Sequence, residues 1–435
     1  MLSKIKNKNI IALLSLFVGT ALTAIATLFT TIILAKYTTT EVFGNYSSIL
    51  VTITTLTPLA GFGIAQYWLK LFGQHGSYGI LWIKKSLIFI SISTAFVFIL
   101  LHIWFFLTLN SSYLIFVSTL LSFIIFKFVS TEIINSVLQI EEKYLFLAFW
   151  QFFQSSFVLI IVLIIVYFFT TSLNELQIAI IQLSTVFLSI FMSIYIFYKF
   201  LKNQKKKINL KKIIQLKKEK NPHIIKIFKE SAPFGLAGLF SLIYSQLGVV
   251  FVRYIEGPEA AAQYTVAFTF LLAALLIPLV IYQKFLLPKL HRWAYHDKDK
   301  FEKSFYYGSV IMFFLGILVF LFLWFFSPYF INLFFGEKYQ ASIFLLKIMA
   351  INIPIVYVAS SAGSLLVTQN HMMIKVYYMG ASAIIYLILC APSINYFGTI
   401  GAIYTNIICN IFIIIIYFYK VKKDILSRTK KGSLL

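Results

Sequence analysis

The sequence predicts an all-α integral membrane protein with twelve transmembrane helices in two six-helix lobes, and three observations support this fold class. The chain has 435 residues, of which 60% are hydrophobic and only 12% are charged, whereas a soluble globular chain carries roughly 25% charged residues. Apolar stretches of about 20 residues, long enough to cross a bilayer, recur along the whole chain. A strongly basic loop near the middle divides these stretches into six and six.

Twelve apolar spans follow one another with short polar breaks. The predicted spans cover residues 10–35, 43–69, 80–107, 113–138, 145–169, 176–198, 231–255, 264–288, 304–327, 341–367, 374–391 and 397–419. The first span is longer than the hydrophobic region of a signal peptide, which is about 7 to 15 residues. We therefore expect it to be retained as a membrane helix.

The distribution of Lys and Arg predicts the orientation of the chain in the membrane. There are 37 Lys and Arg against 14 Asp and Glu, for a net charge of +23. With a cytoplasmic N-terminus, nearly all these cations fall on the inner side, and only Lys36, Arg253 and Lys338 lie at outer ends. Because cytoplasmic loops are enriched in cations, we expect a multi-pass protein with both termini in the cytoplasm.

The same pattern predicts the domain organisation. An N-terminal lobe covers residues 1–198, a basic cytoplasmic linker 199–230, a C-terminal lobe 231–420 and a basic tail 421–435. The linker and tail are expected to lie on anionic phospholipid head groups. A contribution of the linker to gathering an anionic substrate is left open.

The two halves resemble each other in sequence. Residues 40–46 (TEVFGNY) and 258–264 (PEAAAQY) match at an offset of 218, with Glu and Tyr coinciding, and Pro58 and Pro278 fall close to the same offset. Repeats with an even number of spans share one orientation and are related by an axis along the membrane normal. This arrangement predicts a cavity between two lobes.

At this level of detail the chain resembles a known family. Residues 34–37 (LAKY), 40–46 and 61–66 (GFGIAQ), followed by 333–339 (LFFGEKY) and 396–402 (YFGTIGA), are similar to patterns of the Wzx-type polysaccharide or O-antigen flippases. These belong to the multidrug/oligosaccharidyl-lipid/polysaccharide exporter superfamily, which is MATE-like in fold. The pattern departs at Ala262, where the repeat favours glycine.

The resemblance implies export by alternating access of an undecaprenyl-diphosphate-linked oligosaccharide across the bacterial cytoplasmic (inner) membrane, for O-antigen, capsule or a related polymer. It implies a secondary transporter, with no enzyme activity and no cofactor. Expected partners are the lipid-linked oligosaccharide and anionic phospholipids, with polysaccharide polymerase and chain-length proteins as further candidates, and no nucleic acid. Cys390 and Cys409 are the only cysteines, so neither a disulfide framework nor a metal site is expected.

Ionisable residues inside the spans are the first candidates for the substrate site, because a charge at a helix centre costs about 2.5–3.5 kcal/mol even on the lenient insertion scale. Lys127 lies near the middle of its span. We expect it to hold the diphosphate, with a structural ion pair as the alternative. Glu132, five residues further on, is a candidate to carry a coupling proton or to neutralise a cation from another helix.

Four further residues have two interpretations each. Arg253 and Lys36 occupy similar positions at the outer ends of spans in the two halves, so they line an outward vestibule or anchor the interface. Lys347 lies about two turns inside its span, so it is a fourth candidate substrate ligand or a side chain that reaches the interface. His102 is a candidate proton carrier or an interface residue.

Prolines and glycines interrupt several predicted spans and are candidate hinges. They are Pro58, Gly61, Pro233, Pro278 and Pro354. Released backbone groups at such interruptions must be satisfied by neighbours or water. Packing kinks in a large helical bundle are the alternative explanation.

Two other functions compete with the flippase. A multidrug cation exporter of the same superfamily needs carboxylates in its cavity, and Glu132 is the only acid well inside a span. A membrane glycan polymerase or ligase needs a catalytic domain. Asp297 and Asp299 form a D-x-D pattern, but in a loop too short for a nucleotide-binding domain, so we interpret them as a solvated charge cluster.

Overall fold

The computed structural model describes residues 2–169, 172–206, 224–286, 290, 293, 297–366 and 372–426, and in this part of the chain it is helical with no β-strand. The first half contains α1 (Leu2–Lys36), α2 (Thr40–Gly61), α3 (Ile64–His75), α4 (Ile80–Thr108), α5 (Ser112–Ser122), α6 (Ile124–Ile140), α7 (Tyr144–Phe168) and α8 (Glu175–Lys206). The second half contains α9 (Ile224–Gln246), α10 (Gly248–Glu256), α11 (Pro258–Pro278), α12 (Lys298–Phe334), α13 (Ala341–Ala350), α14 (Asn352–Leu365), α15 (Met372–Phe397) and α16 (Thr399–Lys420).

These helices account for the predicted spans. Ten described segments are long and apolar enough to cross a membrane, and the bent pair α9 and α10 is an eleventh. One of the ten, Thr40–Thr108, has 69 residues, more than twice the length that a bilayer accommodates, and it contains α2, α3 and α4. If it is counted as two spans, the described residues contain the twelve that the sequence predicts, and the chain is a multi-pass membrane protein.

The chain divides into two compact units. Unit 1 consists of Met1–Ala26 and Ile49–Leu239, and unit 2 of Thr27–Ser48 and Phe240–Leu435. The ends of α1 and α2 that face each other along the chain therefore belong to unit 2, together with the helices of the second half. The lobe boundaries at residues 198 and 231 remain predictions.

The break between α2 and α3 follows directly from the local sequence. Phe62 and Gly63 have positive φ angles of 44° and 70°, which end a helix, and Gly63 also lies against α9. A Cβ atom at Gly63 would lie 2.7 Å from the backbone nitrogen of Gly235. Pro58 also packs against α9, because a Cβ atom at Gly238 would lie 3.1 Å from the Cβ atom of Pro58.

A second break separates α9 from α10, with a bend of 43°. Gly248 begins α10 at a point where two tyrosine hydroxyls converge. A Cβ atom at this position would lie 2.7 Å from the hydroxyls of Tyr264 and Tyr386. Close packing of these tyrosines therefore requires glycine at the bend.

The candidate hinges occupy different structural contexts. Pro58 and Gly61 lie in the last turn of α2, and Pro233 lies inside α9. Pro278 ends α11 and is followed by a π-helical segment, Leu279–Leu286. Pro354 lies in the first turn of α14, where a Cβ atom at Gly316 would meet its Cα at 2.7 Å. Motion at these positions remains a prediction.

The two predicted loop features fare differently. The centre of the basic linker lies outside the described residues. Asp297 is the N-cap of α12, and its carboxylate accepts a hydrogen bond from the Lys300 backbone N–H at 3.1 Å. The Lys300 ammonium lowers the pKa of this carboxyl. As the N-cap, Asp297 has the role of starting α12.

Candidate substrate-binding site

Lys127 lies on α6 and reaches across to α8 within unit 1. Its ammonium donates a hydrogen bond to the Thr185 hydroxyl at 3.1 Å, and Thr185 is almost fully buried. No carboxylate of the described residues forms an ion pair with Lys127. A charge placed between Phe126 and Phe128 is thus matched only by a neutral hydroxyl.

Glu132 lies on the same helix but in a different set of contacts. Its carboxylate accepts hydrogen bonds from the side chains of Asn135 and of Gln66 on α3. The Glu132 and Gln66 side chains are exposed in the isolated chain, although the carboxylate lies among many atoms of unit 1. Glu132 and Lys127 do not form an ion pair with each other.

Several buried polar atoms on α7 and α8 of unit 1 lack a hydrogen-bond partner among the described residues. They include the hydroxyls of Ser189 and Ser193 on α8 and the side-chain nitrogens of Trp150 and Gln154 on α7. Ser189 follows Thr185 by one helical turn. Because buried polar groups are nearly always hydrogen-bonded, these atoms are candidate hydrogen-bonding partners for water or for a polar ligand.

Arg253 lies on α10 in unit 2 and is also matched by a neutral partner. Its Nε and Nη2 groups donate to one oxygen, Oδ1 of Asn45 on α2, at 3.2 Å and 3.1 Å. Its guanidinium lies 4.9 Å from the centre of the Tyr254 ring. Asn45 is 3% exposed, so this contact is formed at a largely desolvated position.

The residues around Asn45 form a segment that we call the hairpin tip, residues 36–48. Lys338 donates from its ammonium to the backbone oxygens of Lys36 and Thr38 at 3.0 Å and 2.7 Å, and the Tyr339 hydroxyl donates to the oxygen of Ala35 at 3.2 Å. The last carbonyls of a helix lack partners within it and attract cations. Lys338 and Tyr339 therefore cap the C-terminus of α1.

The pKa values of these two capping groups, Lys338 and Tyr339, are shifted from their usual values. Lys338 is exposed as a whole, yet desolvation of its ammonium lowers its pKa. Burial raises the pKa of the Tyr339 hydroxyl, which keeps it protonated as a hydrogen-bond donor over a wide pH range.

The start of α2 packs equally closely in unit 2. A Cβ atom at Gly44 would overlap the backbone oxygen of Pro258. The Thr265 hydroxyl donates to the Ser47 hydroxyl at 3.2 Å. Ser47 and Thr265 are separated by 218 residues, the offset of the sequence repeat, so equivalent residues of the two repeats meet here as expected at a pseudo-two-fold axis.

The remaining predicted site residues are Lys36, Lys347 and His102. Lys36 contributes its backbone oxygen to the hairpin tip, while its side chain is exposed. Lys347 on α13 lies 5.7 Å from the Trp324 ring of α12. His102 on α4 is hydrogen-bonded through Nδ1 to the oxygen of Phe98 at 2.7 Å.

The structure thus places Lys127 and Glu132 on one helix of unit 1, and Arg253 beside the hairpin tip in unit 2. The sequence did not single out Thr185, and it placed Asn45 and Gln66 in the motifs 40–46 and 61–66 without pairing them with a charged residue. Ser47 and Thr265 lie one residue beyond the matched segments 40–46 and 258–264, at the same offset, so the repeat could have pointed to them. The roles of the predicted site residues remain predictions.

Solved structures with a similar fold are membrane transporters. The chain is similar to the inward-facing conformation of a multidrug resistance MATE family transporter of the MOP superfamily, with 15% sequence identity, a TM-score of 0.70 and coverage of 94% of this chain and 96% of that chain. It is similar to the lipid II flippase MurJ in an inward closed conformation, with 15% identity, a TM-score of 0.68 and coverage of 94% and 87%. A MOP superfamily transporter from Pyrococcus furiosus matches with 14% identity, a TM-score of 0.65 and coverage of 97% and 96%. The predicted MATE-like membrane fold is confirmed.

No curated protein matches the sequence. A family model does match it, over residues 8–294, and its description is polysaccharide biosynthesis protein. This match covers more than half of the chain and confirms the resemblance seen in the sequence motifs. The chain belongs to the polysaccharide biosynthesis protein family and has the fold of MATE-like transporters.

Proposed function

We propose that this protein is a flippase that moves an undecaprenyl-diphosphate-linked oligosaccharide from the inner to the outer leaflet of the bacterial cytoplasmic membrane, with both termini in the cytoplasm. The transported glycan serves O-antigen, capsule or a related surface polysaccharide. Family membership supports a role in polysaccharide biosynthesis. The similarity in fold to a lipid II flippase supports a membrane transporter as the form that this role takes.

The observation that carries the proposal is the pairing of Lys127 with a neutral hydroxyl inside an apolar span. A charged side chain within a membrane span is costly, and an ion pair is the usual way to compensate it. Lys127 has the Thr185 hydroxyl instead. A diphosphate bound at this ammonium supplies the missing negative charge, as a lysine point charge does at other phosphate sites.

The unsatisfied polar atoms on α7 and α8 of unit 1 support a glycan rather than a hydrophobic drug. Removing one hydroxyl from water without replacing its hydrogen bonds costs roughly 4–8 kcal/mol on an alkane scale. Ser189, Ser193 and Gln154 offer replacement hydrogen bonds along α7 and α8. The lipid tail needs no polar surface and stays in the bilayer.

Arg253 is the second proposed ligand for the diphosphate, and Lys36 and Lys347 are additional cations on the same route. Glu132 is the proposed coupling group, held by Gln66 and Asn135, with His102 as a second candidate. If the moving complex keeps two negative charges, an inside-negative potential contributes about 2 × 2.3 kcal/mol per 100 mV to outward movement. ATP hydrolysis is then unnecessary.

Complementation of a deletion strain tests this function. Mass spectrometry of the deletion strain should show an accumulated lipid-diphosphate-linked oligosaccharide and little surface glycan. Wild-type protein and Lys84→Ala should restore surface glycan, whereas Lys127→Ala should be present in the membrane at normal levels without restoring it. Normal surface glycan in the Lys127→Ala strain would remove Lys127 from the mechanism.

A multidrug cation exporter is the second candidate, favoured by one observation. The Glu132 carboxylate has only neutral hydrogen-bond partners, Asn135 and Gln66, among the described residues, and a lipophilic cation is a suitable ligand for it. The two functions differ in their response to Glu132→Gln. If the protein is a cation exporter, Glu132→Gln should abolish drug resistance. Loss of drug resistance with unchanged surface glycan would favour the exporter over the flippase.

A further inference from the structure

The bend between α9 and α10 leaves a backbone carbonyl without its helical partner. α9 ends at Gln246 and α10 begins at Gly248, with an angle of 43° between the two helices. In an unbroken helix the Gly248 N–H would donate to the carbonyl of Tyr244, four residues earlier. The helical pattern stops at this break, so the Tyr244 carbonyl needs another donor. Inside a membrane, neighbouring helices or water must provide it.

Asn406 on α16 provides this donor. Its side-chain amide nitrogen, Nδ2, donates a hydrogen bond to the Tyr244 carbonyl. Asn406 is 8% exposed, and both residues belong to unit 2. Because a buried backbone carbonyl without a hydrogen bond is costly, the Asn406 amide stabilises the bend.

Two further asparagines fix the orientation of the Asn406 amide, and all three are buried. Asn352 on α14 donates from Nδ2 to the Asn406 Oδ1 at 2.6 Å. Asn410, one turn further along α16, donates to the same oxygen at 3.3 Å and to the Asn406 backbone oxygen at 3.0 Å. A side-chain amide accepts hydrogen bonds through its oxygen and donates them through its nitrogen. Since the Asn406 oxygen is held by these donors, its nitrogen is directed to the Tyr244 carbonyl.

The bend held by Asn406 determines the direction of the helix that carries Arg253. α10 has nine residues and packs against α11, α15 and α16. Its first residue, Gly248, lies directly against the Tyr264 and Tyr386 hydroxyls, which leaves little room for it to shift. A change in the bend angle therefore turns α10 about its first residue and moves the guanidinium of Arg253.

We propose that Asn406 is a positioning residue for substrate binding: it holds the Tyr244 carbonyl and so fixes the bend that places Arg253 where it binds the diphosphate. This inference rests on the proposed function, in which Arg253 is a ligand of the diphosphate. Asn352 and Asn410 act one step further away, because they orient Asn406. Asn406 itself acts on the substrate only through Arg253.

A distance measurement tests the bend without reference to transport. Spin labels are attached at Glu256→Cys, in the last turn of α10, and at Ile415→Cys on α16, in a chain carrying Cys390→Ala and Cys409→Ala. Both label positions are exposed. A change of about 20° in the bend would move the end of α10, about 12 Å from its first residue, by about 4 Å. Pulsed EPR of the full chain in phosphatidylcholine vesicles resolves such a shift.

Asn406→Leu has a similar shape but no amide, and we expect it to shift or broaden the distribution of distances between the two labels. Thr405→Val is the matched control on the same helix. Thr405 is buried as well, but its hydroxyl donates only to the Gly401 oxygen of its own helix, at 2.9 Å. The control should leave the distribution unchanged.

Binding of undecaprenyl diphosphate to the full chain in the same vesicles tests the link to Arg253. Asn406→Leu and Arg253→Gln should each weaken binding about tenfold. The double variant should bind within about twofold of Arg253→Gln alone, because two residues that act through one contact do not have additive effects. A general structural defect would instead lower the affinity by the same factor in both backgrounds. Asn406→Gln, which keeps the amide donor, should restore part of the affinity.

Two results would overturn this inference alone. They are an unchanged distance distribution in Asn406→Leu, and an equal loss of affinity from that change with and without Arg253. If Asn406→Leu is not recovered from the membrane, Asn410→Leu, which removes hydrogen bonds that hold Asn406, takes its place in both assays. Wild-type affinity in Arg253→Gln would remove Arg253 from the proposed site and overturn the positioning role with it. Failure of the wild type to bind the probe would overturn the proposed function, and the distance measurement would still decide whether Asn406 fixes the bend.

Discussion

Lys127 in unit 1 and Arg253 in unit 2 are both cations matched by neutral partners, but their surroundings differ. Lys127 has one hydroxyl, Thr185, and the serines one and two turns further along α8 lack protein partners among the described residues. Arg253 contacts Asn45 beside a set of hydrogen bonds that are satisfied within the protein. We infer from this difference that the region around Lys127 binds a polar substrate, whereas the region around Arg253 stabilises the conformation of the hairpin tip.

The largest expected effect comes from disrupting the conformation-holding region sterically. In Gly44→Ala the new methyl group would overlap the backbone oxygen of Pro258, so the hairpin tip cannot dock. We expect a loss of more than about 3 kcal/mol in the free energy of unfolding, seen as a lower melting temperature in detergent.

Gly61→Ala is the matched control, because a Cβ atom there meets nothing within 4 Å. Its melting temperature should be unchanged or slightly higher, since alanine favours helix over glycine. Equal melting temperatures for the Gly44→Ala variant and the wild type would mean that the tip does not pack as described.

A substitution at Glu132 tests whether the substrate-binding region of unit 1 also carries the coupling proton. Glu132→Gln keeps a side chain that can hydrogen-bond Gln66 and Asn135 but cannot exchange a proton near neutral pH. If Glu132 carries the coupling proton, glycan transport in vesicles should lose its response to an imposed pH gradient while substrate binding persists. A response equal to that of the wild type would assign coupling elsewhere.

Thr185→Val tests how much Lys127 depends on its one protein partner. The change preserves shape but removes a hydrogen bond to a charged group, worth about 1.5–3 kcal/mol. Chemical unfolding in detergent should show a stability loss in this range. Thr119→Val, which removes only a bond to its own helix at the oxygen of Ile115, should cost less, and equal losses would contradict a special role for Thr185.

The smallest effect is expected at Lys347, whose ammonium lies over the Trp324 ring. Lys347→Met keeps the length of the side chain and removes the cation–π contact, worth about 0.5–1 kcal/mol at an exposed site. Thermal unfolding should detect only a small decrease, and transport should stay near the wild-type rate if Lys347 is an interface anchor. A large drop in transport at normal stability would place it among the substrate ligands.

The sequence predicted the spans well because apolar length is a local property, whereas Pro233 lies inside the continuous helix α9 and the break comes only after Gln246. Apolar length sets the spans, and Gly63 ends a helix through its own backbone angle. The partners of the charged residues were missed because they are neutral. Thr185 and Asn45 are chemically ordinary residues in a helical membrane protein, and only the packing of α6 on α8 and of α2 beside α10 makes them partners. Ser47 and Thr265 could have been related in advance, since they directly follow the matched segments 40–46 and 258–264 at the same offset.

The most direct test of the account is the rate at which purified protein moves a lipid-diphosphate-linked oligosaccharide across vesicles with a membrane potential imposed. We predict that a potential negative on the cytoplasmic side accelerates wild-type protein and Lys84→Ala equally. Lys127→Ala should be slower by about a hundredfold, which corresponds to about 2.8 kcal/mol of lost interaction with a charged group. Transport by Lys127→Ala at the wild-type rate, with the same response to voltage, would contradict the claim that this cation binds the substrate.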